Sequence, residues 1–342
     1  MKFLHPGDDW SVNHYTGANR FGGTLNINDV SGHADVVTLR ALSSGAGLDY
    51  GRAAYQTQLG RATTGVAYAY MHYSLGKDFS SLDAHGTAAT TSLFGSYPLL
   101  RSRNSNLYAL LDLDAKSFRD EVDTTATTAS KKARVAMLSL NGDTRDTLAG
   151  GGLNAYSLTW TSGTIDLQSA EARAADAATA GSDGHYDKLS LHAARLQRVT
   201  DSLSLYAALN GQIASTNLDV SEKLALGGAG AVRAYSADEA YGDQGYLLNL
   251  EARQLLAQLS EHVPGQVQLI GFVDSGSVQL NQDRWAPGRN RRTLSGAGIG
   301  LNWTDNGSFG VNAFVARRLG SERATSGPDA TSRFWIEAIK YL

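Results

Sequence analysis

The sequence predicts an all-β fold, a transmembrane antiparallel β-barrel of about 16 strands. Three observations carry this. Apolar and polar residues alternate with a period of two along most of the chain, the signature of strands with two different faces. Glycine is abundant, 37 of 342 residues, while proline is scarce, 5 of 342. Proline removes a ladder donor, so its scarcity suits many paired strands, and each of the five is read as lying in a connection. No apolar run approaches the roughly 18–20 residues of a membrane helix, yet barrel strands need only about 9–11 residues and are half polar.

Strand-like segments follow one another at 17–28, 35–43, 48–60, 64–75, 83–97, 106–118, 131–142, 149–161, 162–171, 186–199, 201–214, 245–255, 266–276, 293–303, 308–318 and 332–342. In 106–118, Leu107, Ala109, Leu111, Leu113 and Ala115 share one face, against Tyr108, Leu110, Asp112, Asp114 and Lys116. In 201–212, Leu203, Leu205, Ala207 and Leu209 oppose Ser204, Tyr206, Asn210 and Gln212. In 245–253, Tyr246, Leu248, Leu250 and Ala252 oppose Leu247, Asn249, Glu251 and Arg253. In 266–276, Val267, Leu269, Gly271 and Val273 oppose Gln266, Gln268, Ile270, Phe272 and Asp274.

A soluble sandwich also alternates. The polar faces here carry Gln, Asn, Ser, Thr and small residues rather than dense Lys and Glu, which suits a lumen. Tyr68, Tyr70, Tyr73, Trp160, Trp303, Trp335 and Tyr341 recur near strand ends, as the aromatic girdles of a membrane barrel do. SSGAG (43–47) and TDNG (304–307) read as turns, and the Ala-rich EARAADAATAGSDG (171–184) as an exposed loop or disordered tip.

Composition excludes several functions. With no cysteine, zinc-ribbon, iron–sulfur and thiol-nucleophile chemistry is out, and cysteine avoidance is compatible with a bacterial envelope protein. A net charge of -3 gives no sign of a nucleic-acid partner. The histidines, His72, His85 and His192 among them, show no metal-ligand spacing, and neither G-x-S-x-G nor H-E-x-x-H occurs. No cofactor is expected, and no catalytic residue.

Arg233 stands in a loop rich in glycine and alanine, GGAGAVRAYSADEAYGDQ, ahead of the strand at 245. A phosphate cradle would follow a strand and open a helix, and this stretch opens none. Two short motifs, VRAY (Val232 to Tyr235) and FVDSG (Phe272 to Gly276), resemble the V-R-G/A-Y and F-x-D-x-G elements of two-partner secretion transporters, the haemolysin secretion/activation outer-membrane proteins. Other family-like stretches occur in order along nearly the whole chain, including NHYTGANRFGGTLNIND near the start, residues 140–163, LSGAGIGLNW (294–303) and RFWIEAIKYL (333–342).

The resemblance implies a sixteen-stranded barrel in a Gram-negative outer membrane whose sixth surface loop, about 215–244, folds into the lumen. Arg233 would then tether that loop to Asp274 on the wall, with Val232, Tyr235, Phe272 and Gly276 as motif neighbours. Asp274 independently falls on the polar face, since a carboxylate facing lipid is costly. The plain alternative is a loop arginine and a strand aspartate that never meet. Glu251 and Arg253 share the lumenal face, as ordinary lumen residues or as part of the loop's control. Because a lumen is wet, the tether is expected to be worth about 1 kcal/mol.

The third motif position is Ala234, where many relatives in the wider superfamily have glycine, so the local backbone is expected to differ. The family carries a plug helix and two POTRA domains ahead of the barrel. None is visible here, so the chain is expected to hold only the barrel, residues 1–342, as a single translocator domain. The implied function is export of a partner exoprotein from periplasm to cell surface without nucleotide. Lipid, lipopolysaccharide and the barrel assembly machinery are the other implied partners. Arg284, Arg289, Arg291 and Arg292 in a surface loop are either a solvated charge run or a contact to lipopolysaccharide. A general diffusion porin and, further off, a barrel hydrolase are the alternatives.

Overall fold

The computed structural model describes residues 16–17, 19–260, 263–305, 307–326 and 328–341; the opening MKFLHPGDDW and Leu342 lie outside them. In chain order the strands are β1 (Phe21–Asn28), β2 (Val36–Ser43), β3 (Leu48–Leu59), β4 (Ala62–Ser74), β5 (Ala84–Arg101), β6 (Ser105–Val122), β7 (Thr127–Asp146), β8 (Gly152–Leu167), β9 (Gly184–Arg198), β10 (Leu203–Ala214), β11 (Leu224–Leu226), β12 (Ala240–Gly242), β13 (Gln244–Leu255), β14 (Gln266–Gln279), β15 (Arg291–Asp305), β16 (Phe309–Leu319) and β17 (Ser332–Lys340). Fifteen of them form one sheet in which neighbours follow chain order, with β10 pairing β13 across the inserted two-stranded pair β11–β12. All the pairings are antiparallel, and the sheet is that of a β-barrel.

The faces divide as the alternation requires. On β13, Tyr246 and Leu250 are 45% and 44% exposed, while Leu247 and Asn249 between them are 5% and 8% exposed. On β6, Leu111 and Leu113 face outward, as Leu205 and Leu209 do on β10 and Leu269 and Val273 on β14. Apolar side chains left exposed in rows on the outside of a barrel are what a hydrocarbon environment demands. The buried core is correspondingly inside. Leu226, Val232, Ala234 and Tyr235 pack against Leu247, Phe272, Val278, Leu294 and Ala316, so the main hydrophobic cluster joins the 215–243 loop to the wall of β13–β16.

Four expectations need correction. The spans 149–161 and 162–171 are one strand, β8, so the sheet has fifteen strands among the described residues. Ser162 and Gly163 pair on both sides, with β7 and β9. A Cβ at Gly163 would stand 2.5 Å from the Tyr186 ring, so this glycine makes room for a cross-strand aromatic. Pro98 lies inside β5 rather than in a connection, at a register shift against β6, the kind of site where a missing N–H is tolerated. The Ala-rich segment contains a helix, α1 (Ala170–Ala177), whose first turn is capped by Ser169 Oγ accepting the Ala172 N–H at 3.0 Å; alanine's helix propensity prevails there. Tyr73 and Trp335 face the lumen rather than an interfacial girdle, the first donating to Asp120 and the second to Arg233 in the 215–243 loop.

Candidate functional site

The loop between β10 and β13 spans 215–243 and lies against lumen-facing residues on both sides of the barrel. Gly227 and Gly228 lead into its tip at φ +99° and +108°, a backbone region that costs L side chains dearly. A Cβ at Gly227 would also meet the Ser236 carbonyl at 2.2 Å. The tip turns back here, and Arg233 points into the wall.

Arg233 and Asp274 meet. The guanidinium donates from Nε to Oδ2 at 2.9 Å and from Nη2 to Oδ1 at 2.7 Å, the two-pronged geometry that only arginine offers. Its own backbone N–H adds a third bond to Oδ2 at 3.1 Å. Asn249, directly opposite Asp274 on β13, donates to Oδ1 at 2.8 Å and to the Ala231 carbonyl at 2.9 Å. The third guanidinium nitrogen donates to Glu251 at 2.8 Å, and Glu251 is shared with Arg253 at 2.6 Å. Below this, the guanidinium lies 3.5 Å from the centroid of Phe272 and 5.1 Å from that of Phe314, so its face is covered as well as its edge. From the last strand, Trp335 Nε1–H donates to the Arg233 carbonyl at 2.7 Å, and Tyr235 Oη–H donates to the Glu322 carbonyl at 2.9 Å.

The side chains of Arg233 and Asp274 are 4% and 0% exposed. The expectation of a wet, screened pair is therefore overturned. Removing one partner leaves a buried charge and costs about 3–5 kcal/mol, not the ~1 kcal/mol of an exposed pair. Ala234 needs no special backbone, being absent from the positive-φ residues. Its methyl fits over Gly296, where a Cβ would come within 2.5 Å of it.

A chain whose barrel, lumenal loop and Arg–Asp contact coincide in this way can be set beside known proteins. A family model described as haemolysin secretion/activation protein ShlB/FhaC/HecB matches residues 8–303. The chain belongs to this family. Like its members, it is an outer-membrane β-barrel protein of the Gram-negative type. It is 26% identical over 331 residues to the heme/hemopexin transporter protein HuxB of Haemophilus influenzae strain 86-028NP, covering 96% of this chain and 58% of that one. Among solved structures, CdiB from Escherichia coli superposes with a TM-score of 0.77 at 20% identity, over 97% of this chain and 61% of the other. BamA from Haemophilus ducreyi lacking POTRA domains 1–3 gives 0.65 at 11% identity, over 96% and 69%. The chain thus spans a little over half the length of the curated relatives it matches.

In this family member the loop is held at its base too. Glu222 receives Lys116 from β6 at 2.9 Å and Lys188 from β9 at 3.0 Å, and Asp219 receives Lys131 from β7 at 2.7 Å. Beneath them Leu218 packs with Tyr186, Ile165 and Val135. Asp243 accepts Lys223 at 2.6 Å and the backbone N–H groups of Leu218 and Gln282. Glu239 takes Arg292 at 2.9 Å together with the hydroxyls and N–H groups of Thr325 and Ser326. Burial alone would raise the Glu222 and Glu239 carboxyls. Lys188 and Lys116 in the first case, and Ser326, Thr325 and Arg292 in the second, outweigh it and hold both below the usual carboxylate range.

Sequence reasoning placed Arg233, Asp274, Glu251 and Arg253 on the lumen side, and the structure brings all four together. It missed Asn249, Phe314 and Trp335 as partners, although strand parity had put Asn249 on the right face. The arginine cluster divides. Arg292 turns inward to Glu239, Arg284 bonds to carbonyls of its own loop, and Arg289 stands 82% exposed. Away from the Arg233 contact, Asp83, His85 and Asp123 bring possible metal-ligand atoms within 4.8 Å of one another where the start of β5 meets the turn after β6, a grouping that their 40-residue separation hid.

Proposed function

We propose that this barrel is the translocation unit of a two-partner secretion system. It passes an unfolded exoprotein from periplasm to cell surface, and the latch of Arg233 on Asp274 and Glu251 sets the position of the plug loop during that passage. The observation that carries the reading is the dry, bidentate Arg233–Asp274 contact, joining the two family motifs across the lumen. Membership of the family supports the cargo class. Residues 1–342 act as one translocator domain in this reading, with Val232, Tyr235, Phe272 and Gly276 shaping the seat of the latch. Val232 and Tyr235 are buried in it, and Gly276 leaves the space that Leu226 fills, with a Cβ there falling 2.7 Å from Leu226 Cδ2. The surrounding lipid and lipopolysaccharide, and the barrel assembly machinery that inserts the chain, complete the set of partners.

The test is Arg233→Ala in the complete transporter, with secreted cargo and unboiled gel mobility read together. The variant is expected to keep the fast-migrating barrel form and to lose most of its secretion. Undiminished secretion would remove the latch from the mechanism. Large, steady conductance indifferent to Arg233 would instead favour a general diffusion porin.

A further inference from the structure

The base of the plug loop is held by residues that the Arg233 latch does not touch. Glu222 is 5% exposed and accepts two lysines from separate strands; its backbone carbonyl takes Lys188 Nζ at 2.8 Å and Gln212 Nε2 at 3.3 Å. Asp219 caps its own turn by accepting the Ser221 N–H at 2.9 Å and binds Lys131 with both oxygens, at 2.7 and 2.9 Å. These partners sit on β6, β7, β9 and β10, whereas the Arg233 partners sit on β13 and β14, with Trp335 on β17. The two attachments lie on either side of the paired positive-φ glycines 227 and 228.

They also differ in dryness. Lys116, Lys131 and Lys188 are 19%, 16% and 14% exposed and Asp219 is 10% exposed, against 4% and 0% for Arg233 and Asp274. The lysine ends of the base pairs reach water although Glu222 itself is 5% exposed, so the base is screened more than the tip and yields first. When the base lifts, Glu222 and Asp219 leave with it, and three lysines remain on the wall against one carboxylate, Asp114, which lies 3.9 Å from Lys116.

Building on the translocator reading, we propose that the Glu222 cluster is a separate seal. It positions the loop base over the β6–β10 wall, and the loop opens in two stages, base before tip, with the Gly227–Gly228 pair as the pivot. The first open state is a narrow path lined by Lys116, Lys131 and Lys188, and it is therefore selective for anions.

The test uses the purified chain in lipid bilayers and needs no cargo, so it stands or falls separately from secretion. With no native cysteine, single cysteines at Leu218 (base) and Ser236 (tip), both buried, report accessibility by maleimide labelling. Glu222→Gln, and the harsher Glu222→Lys, are expected to speed labelling at position 218 by at least about tenfold, since one partner of a buried pair is lost, with position 236 still protected. Ion flux rises in parallel, and under a potassium chloride gradient the reversal potential moves toward that of chloride. Adding Lys116→Glu and Lys188→Glu to Glu222→Lys restores protection. Unboiled mobility identifies any variant that has failed to fold, and Glu222→Gln keeps the side-chain shape for that case. Simultaneous labelling of both positions, unchanged flux, or a cation-selective current would each overturn the proposal.

Discussion

The two sides of the lumen are built differently. The wall of β13–β16 is a seat for another piece of chain. It carries glycines where a Cβ would collide with the loop or with the rings beneath it, as at Gly276, Gly296 and Gly298, and aromatic rings that cover the arginine face. Below the loop base, the wall of β5–β10 is already finished. Ser92 donates to Asp114 at 2.7 Å, Ser139 and Thr159 lie 2.9 Å apart, Ser157 donates to Asn141 at 2.6 Å, and His192 bonds Asn210 at 2.7 Å. Short polar side chains satisfied by their cross-strand neighbours ask nothing of a third partner. The contrast teaches that a lumenal surface meant for docking is recognised by small residues and by charges left for the visitor to neutralise.

Four outcomes would break or sharpen this contrast. The largest belongs to Asp274→Ala, which strands Arg233 in a dry site. About 3–5 kcal/mol is lost, and labelling of a cysteine at Ser236 should quicken by at least about a hundredfold; a change under threefold would mean that Glu251 alone suffices. Next comes Gly296→Val, which places a Cβ 2.5 Å from Ala234. Overpacking of this kind costs about 1–3 kcal/mol, expected as the same tip exposure at a lower level, with the barrel still migrating fast unboiled.

Third is acid. The Glu222 carboxyl faces Lys116 of β6, which also lies 3.9 Å from Asp114, and Lys188 and Tyr186 of β9. Its folded value lies below its ordinary one, so its contribution to holding the loop is complete above the ordinary carboxylate range and is lost as pH falls through the lowered value. Accessibility of the loop base should stay flat from neutral pH to about pH 5 and rise below about pH 4; a rise centred near neutrality would exclude these carboxylates as its cause. The smallest effect is expected on the finished wall, where Thr159→Val should change thermal stability by about 1 kcal/mol or less and leave loop accessibility unaltered.

Much of this was legible beforehand, for identifiable reasons. Strand parity is local, so the lumenal assignment of Asn249, Glu251, Arg253 and Asp274 followed from counting residues. The Arg233–Asp274 contact, 41 residues apart, needed the family motifs to suggest it. The division of β8 into the spans 149–161 and 162–171 was wrong because alternation alone does not set the length of a strand, and the pairing with β9 that runs through Ser162 and Gly163 is not visible in the sequence. Trp335 carried no signal, since its partner is a backbone carbonyl 102 positions away. The Glu222 cluster was equally silent, with lysines drawn from three strands.

The plug loop also has a charge of its own. Between 215 and 243 stand five acids, Asp219, Glu222, Asp238, Glu239 and Asp243, against Lys223 and Arg233, so the segment carries three negative charges, as many as the whole chain's net of -3. Each elementary charge moved fully across 100 mV is worth about 2.3 kcal/mol. Charge gathered on one segment that is not part of the barrel wall gives an applied field something to act on. Reversing the polarity of a voltage across a bilayer that holds the barrel is therefore expected to change how readily the loop leaves its seat, read as the labelling rate of a cysteine at Ser236.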